Sequence, residues 1–225
     1  MECNFTYNHY KEAINIAKGL GFSFLSMHDF MIKKPKGKFI IMRHDIDVSI
    51  KHSLKMAQEE KSLGIKSTYF VRTSKTLDPF SKKNSGMLRK IAKLGHEIGL
   101  HYDSDVINNK DFKAYLLSKK RKLENAAGVK IYGAALHRVK KLDGTKEIKE
   151  LNFIEQFLDE LDLKYDAYSN KFLNRISYIS DSARQWKHGC ICKNVRNKPH
   201  LYVLTHPIWW SDTTASLVTL IEELL

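Results

Sequence analysis

Four short apolar segments of this chain each end in a group of charged or histidine residues, and segments of helical character separate them. The four groups are Arg43-His44-Asp45-Ile46-Asp47, Gly95–Asp105, Leu136-His137-Arg138 and Thr205-His206-Pro207. In α/β folds the functional side chains gather where parallel strands end and loops begin. The pattern therefore predicts that these groups meet at one site.

The order of apolar and amphipathic segments predicts an α/β fold with a mostly parallel sheet. We predict strands over Lys38–Arg43, Ser67–Val71, Glu97–His101, Gly133–Leu136, Tyr165–Ala167, Tyr178–Ser180 and Leu201–Thr205. We predict helices around Tyr10–Lys18, from Ser49 as N-cap to Gly64, around Met87–Leu94, and over Leu116–Ala127, Glu147–Leu158 and Ala215–Leu224. No linker, repeat or low-complexity segment divides the 225 residues, so we expect one domain over residues 1–225, with residues 1–37 as an N-terminal helical extension.

The chain is basic, with 38 Lys and Arg against 25 Asp and Glu and a formal charge of +13. Such a charge favours anionic partners. No zinc finger, basic zipper or aromatic RNA-binding signature accompanies the basic clusters, so we expect no nucleic-acid partner. The basic clusters either form solvated faces or attract a phosphate-bearing substrate or an anionic membrane surface.

Three features of the sequence predict the cellular location of the protein. No apolar run approaches the roughly 18 residues of a membrane span, and the first residues resemble no secretory signal. The three cysteines are sparse, which fits a reducing compartment. We therefore expect a cytoplasmic protein without a membrane span. Cys190 and Cys192 lie near His188, but their spacing matches none of the usual structural zinc sites.

The chemistry of the first two groups indicates a metal site. Of two carboxylates placed two residues apart at a strand end, one can ligate a metal while the other handles a proton; the alternative is a turn in which Asp47 caps the next helix. Strand alternation places Glu97, Gly99 and His101 on one side. If the chain turns helical after His101, Asp105 faces the same way and completes a chelate.

The other two groups suit proton transfer. An arginine at position 138, beside two carboxylates, would hold an aspartate ionised through a bidentate pair. His206 follows a buried strand and titrates near neutral pH, so it suits a general acid. Asp181 is either a loop cap or a carboxylate that supports the site.

Taken together, Arg-His-Asp-Ile-Asp, Ser67-Thr68-Tyr69-Phe70, Gly-His-Glu-Ile-Gly-Leu-His, His-Arg and Leu-Thr-His-Pro resemble the motifs of the polysaccharide deacetylase family. This family is also known as the NodB homology domain or carbohydrate esterase family four. The resemblance covers about residues 38–210 and is nearest to the branch whose first motif is Arg-His-Asp-x-Asp.

The resemblance implies a distorted (β/α) barrel of about seven strands with its site at the carboxyl ends of the strands. It also implies a divalent metal ion, which we expect to be zinc. By position, Asp45 would be the general base, Asp47 and His101 metal ligands, and His206 the general acid. Arg138 would orient and ionise Asp45, and Asp181 would tune His206.

The sequence departs from the family at two places. Most members have a second histidine four residues after the first, where this chain has Asp105. The third metal ligand is therefore either Asp105 or His137. The arginine-proline pair of the third motif is Arg138-Val139 here.

The function implied is metal-dependent hydrolysis of an N-acetyl group on an amino sugar, with an intracellular nucleotide- or lipid-linked precursor of a surface polysaccharide as the expected carbohydrate substrate. Because of the Asp105 departure, a catalytically inactive sugar-binding protein on the same fold is the alternative. Peripheral contact with a membrane surface also stays open.

Overall fold

The structure is a computed structural model that describes residues 3–74, 76–108, 110–137 and 152–214. Its strands are β1 Ser23–Leu25, β2 Phe39–Ile46, β3 Thr68–Arg72, β4 Glu97–Asp103, β5 Gly133–His137, β6 Tyr165–Asp166, β7 Ser177–Ser180 and β8 His200–Thr205. Its α-helices are α1 Tyr7–Gly19, α2 Met27–Lys33, α3 Ile50–Ser62, α4 Lys82–Lys93, α5 Phe112–Ala127, α6 Asn170–Leu173 and α7 Ile191–Asn194. Short 3₁₀ helices lie at Ser104–Asn108, Phe153–Phe157, Ser182–Arg184 and Pro207–Trp209.

Seven parallel strands form the sheet in the order β6-β5-β4-β3-β2-β8-β7, and β1 pairs with the first half of β2. Helices lie between successive strands, and the sheet curls into a half-barrel. This arrangement confirms the predicted α/β fold, a distorted (β/α) barrel.

Side chains on the concave and outer sides of the sheet belong to two separate clusters. Alternate residues of β2 point inward with Phe70 and Tyr202, whereas the intervening residues pack outward against the helices. The inner space is tight, because a Cβ atom on Gly99 would lie 2.4 Å from the ring of Phe70. Glycine is therefore required at this position for the strand to approach the ring closely.

The sequence predicted the long elements well and the short N-terminal ones poorly. Helix α3 begins after Ser49, whose side chain accepts a hydrogen bond from the backbone N–H of His52, as an N-cap does. Strand β1 and helix α2 lie within residues 1–37 and were not predicted. The helix predicted over Glu147–Leu158 lies partly outside the described residues; its described part contains a 3₁₀ helix. The helix predicted over Ala215–Leu224 lies outside them entirely.

Within the described ranges, no helix is both long enough and apolar enough to cross a bilayer.

Candidate active site

Asp45 is held by an arginine from its own strand. Arg43 and Asp45 are two residues apart on β2 and therefore point to the same side. The Nε and Nη2 atoms of Arg43 each donate a hydrogen bond of 2.8 Å to one carboxylate oxygen of Asp45. Arg43 also donates to the hydroxyl oxygens of Tyr168 and Tyr202. Both members of the ion pair are buried.

This ion pair determines the charge of Asp45. Burial alone would raise the pKa of the carboxyl group, but the adjacent Arg43 guanidinium and the nearby His101 ring outweigh burial and lower it. Asp45 is therefore ionised at neutral pH and can accept a proton. Its second oxygen lies 3.5 Å from Nε2 of His101, which joins it to the next group of residues.

Asp47, His101 and His137 converge at the ends of β2, β4 and β5. Their ligating atoms lie within 4.8 Å of one another. Asp47 Oδ1 is 3.3 Å from Nε2 of His101 and 3.6 Å from Nε2 of His137. The Asp47 side chain is 24% exposed, so the group opens to solvent on one side.

The hydrogen bonds around this triad fit a bound cation. Nδ1 of His101 donates to the carbonyl of Ala135 at 2.9 Å, and Nδ1 of His137 donates to Asp103 at 2.7 Å. With the proton on Nδ1, the neutral form of each ring would present its Nε2 lone pair toward Asp47 Oδ1. That oxygen is itself buried and accepts no well-formed hydrogen bond. In protein metal sites, the ligating atoms face one another and the second nitrogen of each histidine is hydrogen-bonded to the protein. The triad has this arrangement.

Asp105, the alternative third ligand, is exposed and lies outside this triad. Strand β4 continues to Asp103, two residues further than predicted, and the chain then enters a 3₁₀ helix. The inward-facing residue after His101 is consequently Asp103. Hydrogen bonds from His137 and Arg72 outweigh the effect of burial and lower the pKa of Asp103 to about 2. Asp103 is therefore an anion, and it accepts the hydrogen bond from Nδ1 of His137.

His206 directly follows β8 and is held by Asp181, which directly follows β7. Nδ1 of His206 donates to Asp181 Oδ1 at 2.6 Å, and the backbone N–H of His206 also donates to this carboxylate. Trp210 donates its Nε1 proton to the other oxygen of Asp181. Burial lowers the pKa of His206, but Asp181, Asp45 and Asp47 outweigh it and raise the pKa to about 9. Nε2 of His206 lies 3.9 Å from Asp47 Oδ2, so the charged ring faces the triad.

Of the three tryptophans in the chain, Trp209 is the one beside the site. Its ring centroid lies 6.4 Å from that of His206. Trp210 is buried in the core, and Trp186 packs between Phe5 and Trp210. Only Trp209 is thus placed to contact a substrate bound near His206.

The structure adds two residues to the predicted site. The arginine predicted to ionise Asp45 is Arg138, which lies outside the described residues. Arg43 makes that contact among the residues described, and strand alternation relative to Asp45 is the signal that could have identified it. Asp103 was also missed, because its role depends on where β4 ends.

Similar proteins are found among solved structures and not by sequence. The sequence matches no protein-family model and no curated protein. Among solved structures, the catalytic domain of a peptidoglycan N-acetylglucosamine deacetylase from Eubacterium rectale is similar, with a TM-score of 0.56 at 14% identity over 84% of this chain and 83% of that one. A family 4 carbohydrate esterase from Bacillus anthracis gives a TM-score of 0.51 at 15% identity over 93% of this chain and 82% of that one.

A third similar structure is a mutant, with restored enzymatic activity, of a family 4 carbohydrate esterase pseudoenzyme from Bacillus anthracis. It gives a TM-score of 0.51 at 19% identity over 84% of this chain. This chain spans 63% of the length of that protein. The chain therefore has the fold of the carbohydrate esterases of family four, a fold that active and inactive proteins share.

Proposed function

We propose that this protein is a metal-dependent hydrolase that removes an N-acetyl group from an amino sugar. The observation that carries the proposal is the placement of three groups along one edge of the sheet. The ionised carboxylate of Asp45 lies 3.5 Å from Nε2 of His101, and Nε2 of the protonated His206 lies 3.9 Å from Oδ2 of Asp47, so both groups border the Asp47, His101 and His137 triad. Hydrolysis of an amide needs a base for water, a stabilised oxyanion and an acid for the amine.

Asp47, His101 and His137 would hold the metal ion, which we expect to be zinc because one carboxylate and two imidazoles are a common zinc ligand set. When bound, a divalent ion there supplies a Lewis acid that polarises the acetyl carbonyl and makes water more acidic.

The proton transfers fall to Asp45 and His206. Asp45, kept anionic by Arg43, accepts the proton of the attacking water. His206, kept cationic by Asp181, donates its Nε2 proton to the departing nitrogen, which is a poor leaving group until it is protonated. The opposite pKa shifts of these two groups let both be in the required state at neutral pH.

We further propose that the acetylated sugar is phosphate-linked, a nucleotide- or lipid-linked precursor used in the cytoplasm. The net charge of +13 supports an anionic substrate. Trp209 is suited to stack on the sugar ring next to His206.

Acetate release tests the proposal directly. The purified chain, supplied with Zn²⁺, Co²⁺ or Mn²⁺, is incubated with free, nucleotide-linked and lipid-linked N-acetylated amino sugars. We expect metal-dependent release, fastest on a phosphate-linked sugar. Asp45→Asn should lower kcat by about 10²–10⁴, because an amide cannot accept the water proton.

The control for this variant is Asp162→Asn, the same exchange at a surface position whose carboxylate pairs with Lys120 and Lys130. It should keep full activity. Parental turnover by the Asp45→Asn protein would remove Asp45 from the role of base.

A catalytically inactive sugar-binding protein is the second candidate, favoured by the fold likeness to a pseudoenzyme. It predicts saturable binding of an acetylated amino sugar with no acetate release under any divalent metal. Calorimetric binding and acetate assays on the same preparation separate the two.

A further inference from the structure

A second group of metal-ligating side chains lies away from the candidate active site. It contains all three cysteines of the chain, Cys3, Cys190 and Cys192, together with His9. One ligating atom from each of the four lies within 4.8 Å of the other three. Nothing in the proposed hydrolysis uses these residues.

The four residues come from opposite ends of the chain. Cys3 precedes α1 and His9 lies in its first turn, whereas Cys190 directly precedes α7 and Cys192 lies within it. His9, Cys190 and Cys192 are buried, and Cys3 is partly exposed. The cluster thus joins the N-terminal segment to a part of the chain about 190 residues later, and α1 packs directly on α7.

Three of the six distances between the ligating atoms are close to the edges of a tetrahedron around zinc. Bonds of about 2.3 Å to sulfur and 2.0–2.1 Å to nitrogen place two sulfurs about 3.8 Å apart and a sulfur and a nitrogen about 3.5 Å apart. Cys3 Sγ lies 3.6 Å from Cys192 Sγ, and His9 Nε2 lies 3.3 Å from Cys190 Sγ and 4.0 Å from Cys192 Sγ.

The histidine is oriented for ligation. Its Nδ1 atom lies 3.6 Å from Glu12 Oε2, one turn along α1, which favours the proton on Nδ1. The Nε2 lone pair then faces the sulfurs. A carboxylate behind a ligating histidine has this effect in metal sites generally.

We propose that Cys3, His9, Cys190 and Cys192 bind one zinc ion in a structural site of the Cys₃His type. Four protein ligands fill a tetrahedral shell, so the site has no open position for a substrate and is structural. Binding converts the three thiols to thiolates and releases their protons to solvent.

The site would tie α1 to the part of the fold that supports His206. The ring of Tyr10 on α1 packs against Trp210 at a centroid distance of 5.0 Å, and Trp210 donates a hydrogen bond to Asp181. Spacing along the chain does not predict this site, because the histidine nearest the cysteine pair is His188, whereas the proposed ligand is His9. His188 is exposed and lies outside the cluster.

Cobalt spectroscopy on the full chain tests the proposal. The reduced protein is stripped with a chelator and titrated with Co²⁺, whose tetrahedral thiolate complexes show a sulfur-to-metal charge-transfer band. We expect that band to saturate at one equivalent bound at this site and to vanish when Zn²⁺ is added. The Asp47, His101 and His137 triad has no sulfur and cannot produce it.

Variants assign the band to residues. Cys192→Ser should abolish it, whereas His188→Ala and Asp47→Asn should keep it at full intensity. On the Asp47→Asn chain, in which the triad has lost a ligand, removal of zinc by a chelator should lower Tm by about 5–10 °C, since zinc in excess stabilises the folded state by mass action. This measurement leaves all four proposed ligands in place, so it stands even if Cys192→Ser does not fold.

Two results would overturn the proposal. One is the absence of a charge-transfer band in the reduced parental chain. The other is a mass lower by two hydrogens in protein purified with zinc and without reductant, which would identify a disulfide between two of the cysteines in place of the metal. Neither result depends on whether the protein releases acetate.

Discussion

The guanidinium of Arg43 and the carboxylate of Asp45 form a buried bidentate pair, with two N–H···O hydrogen bonds of 2.8 Å. The two residues share one face of β2, so the strand itself sets their register. A planar fork of donors matches a carboxylate in a way that a lysine ammonium does not. The base of the proposed reaction therefore owes its charge to a residue on the same strand.

Arg43→Lys should weaken this control. A lysine keeps the positive charge but not the paired hydrogen bonds, so the pKa of Asp45 should rise. The acid limb of the profile of kcat/KM against pH should move to higher pH, and the free energy of unfolding should fall by about 1–3 kcal/mol as buried hydrogen bonds are lost. Acetate release from pH 4 to 9 and urea unfolding measure the two effects.

The matched control is Arg89→Lys, which exchanges an arginine that donates hydrogen bonds to the backbone carbonyls of Asn125 and Ala126. It should leave the acid limb in place. An unchanged acid limb in Arg43→Lys would mean that Arg43 does not set the ionisation of the base.

The third metal ligand is decided by comparing two alanine variants. His137→Ala should raise the Zn²⁺ concentration needed for half-maximal activity by more than about tenfold, because ligands and the groups that support them each contribute at least that much to affinity. Asp105→Ala should leave this concentration unchanged, since the residue is exposed and apart from the triad. The reverse pattern would assign the ligand to Asp105.

The limits of prediction from the sequence follow from the geometry of individual residues. Strand alternation predicted that Glu97, Gly99 and His101 share one side, and they occupy alternate positions of β4, because parity within a strand is a local property. Asp105 was expected on that side only if a helical turn began directly after His101, but β4 continues to Asp103 and Asp105 is exposed. A two-residue error at a strand end exchanges one aspartate for another.

Contacts between distant parts of the chain could not be predicted from the local sequence pattern. His9 and Cys190 are 181 residues apart and meet only because α1 packs on α7. Glu60 is a similar case, since its position on α3 predicts nothing about the four partners it meets.

Glu60 is fully buried and should be critical for stability. It accepts hydrogen bonds from Tyr10, His44, Ser67 and Tyr69. Burial raises its pKa, but His44, His96 and Ser67 outweigh burial and lower the pKa to about 2. Glu60→Gln should reduce the free energy of unfolding at pH 7 by about 3 kcal/mol or more, as is usual when one member of a buried charged network is removed.

The sign of the pH dependence checks this prediction. Because the folded pKa lies below the ordinary value of 4.5, the stabilisation by Glu60 is fully present above pH 4.5 and is lost as pH falls toward 2. The difference between the parental and Glu60→Gln chains in urea should therefore shrink between pH 5 and pH 3. Glu160→Gln, an exposed position paired with Lys113, should change stability little at either pH.

The last prediction concerns His206 and the carboxylate behind it. The proposed acid must be protonated, and with a pKa near 9 it stays so throughout the neutral range. The alkaline limb of kcat/KM should therefore fall near pH 9. Asp181→Asn preserves an oxygen that can accept the Nδ1 proton but removes the charge, so the alkaline limb should move toward the ordinary histidine value of 6.5.

His206→Ala separates an acid from a residue that only packs or binds. An amine departs poorly unless protonated, so kcat on the acetylated amino sugar should fall by about 10²–10⁴. The leaving group of an activated aryl acetate needs no proton, so the variant should keep most of its rate on that ester. The Asp45→Asn protein is the matched comparison, because loss of the base should slow both substrates. Equal losses on amide and ester in His206→Ala, together with an alkaline limb that Asp181→Asn does not move, would show that His206 does not deliver the proton.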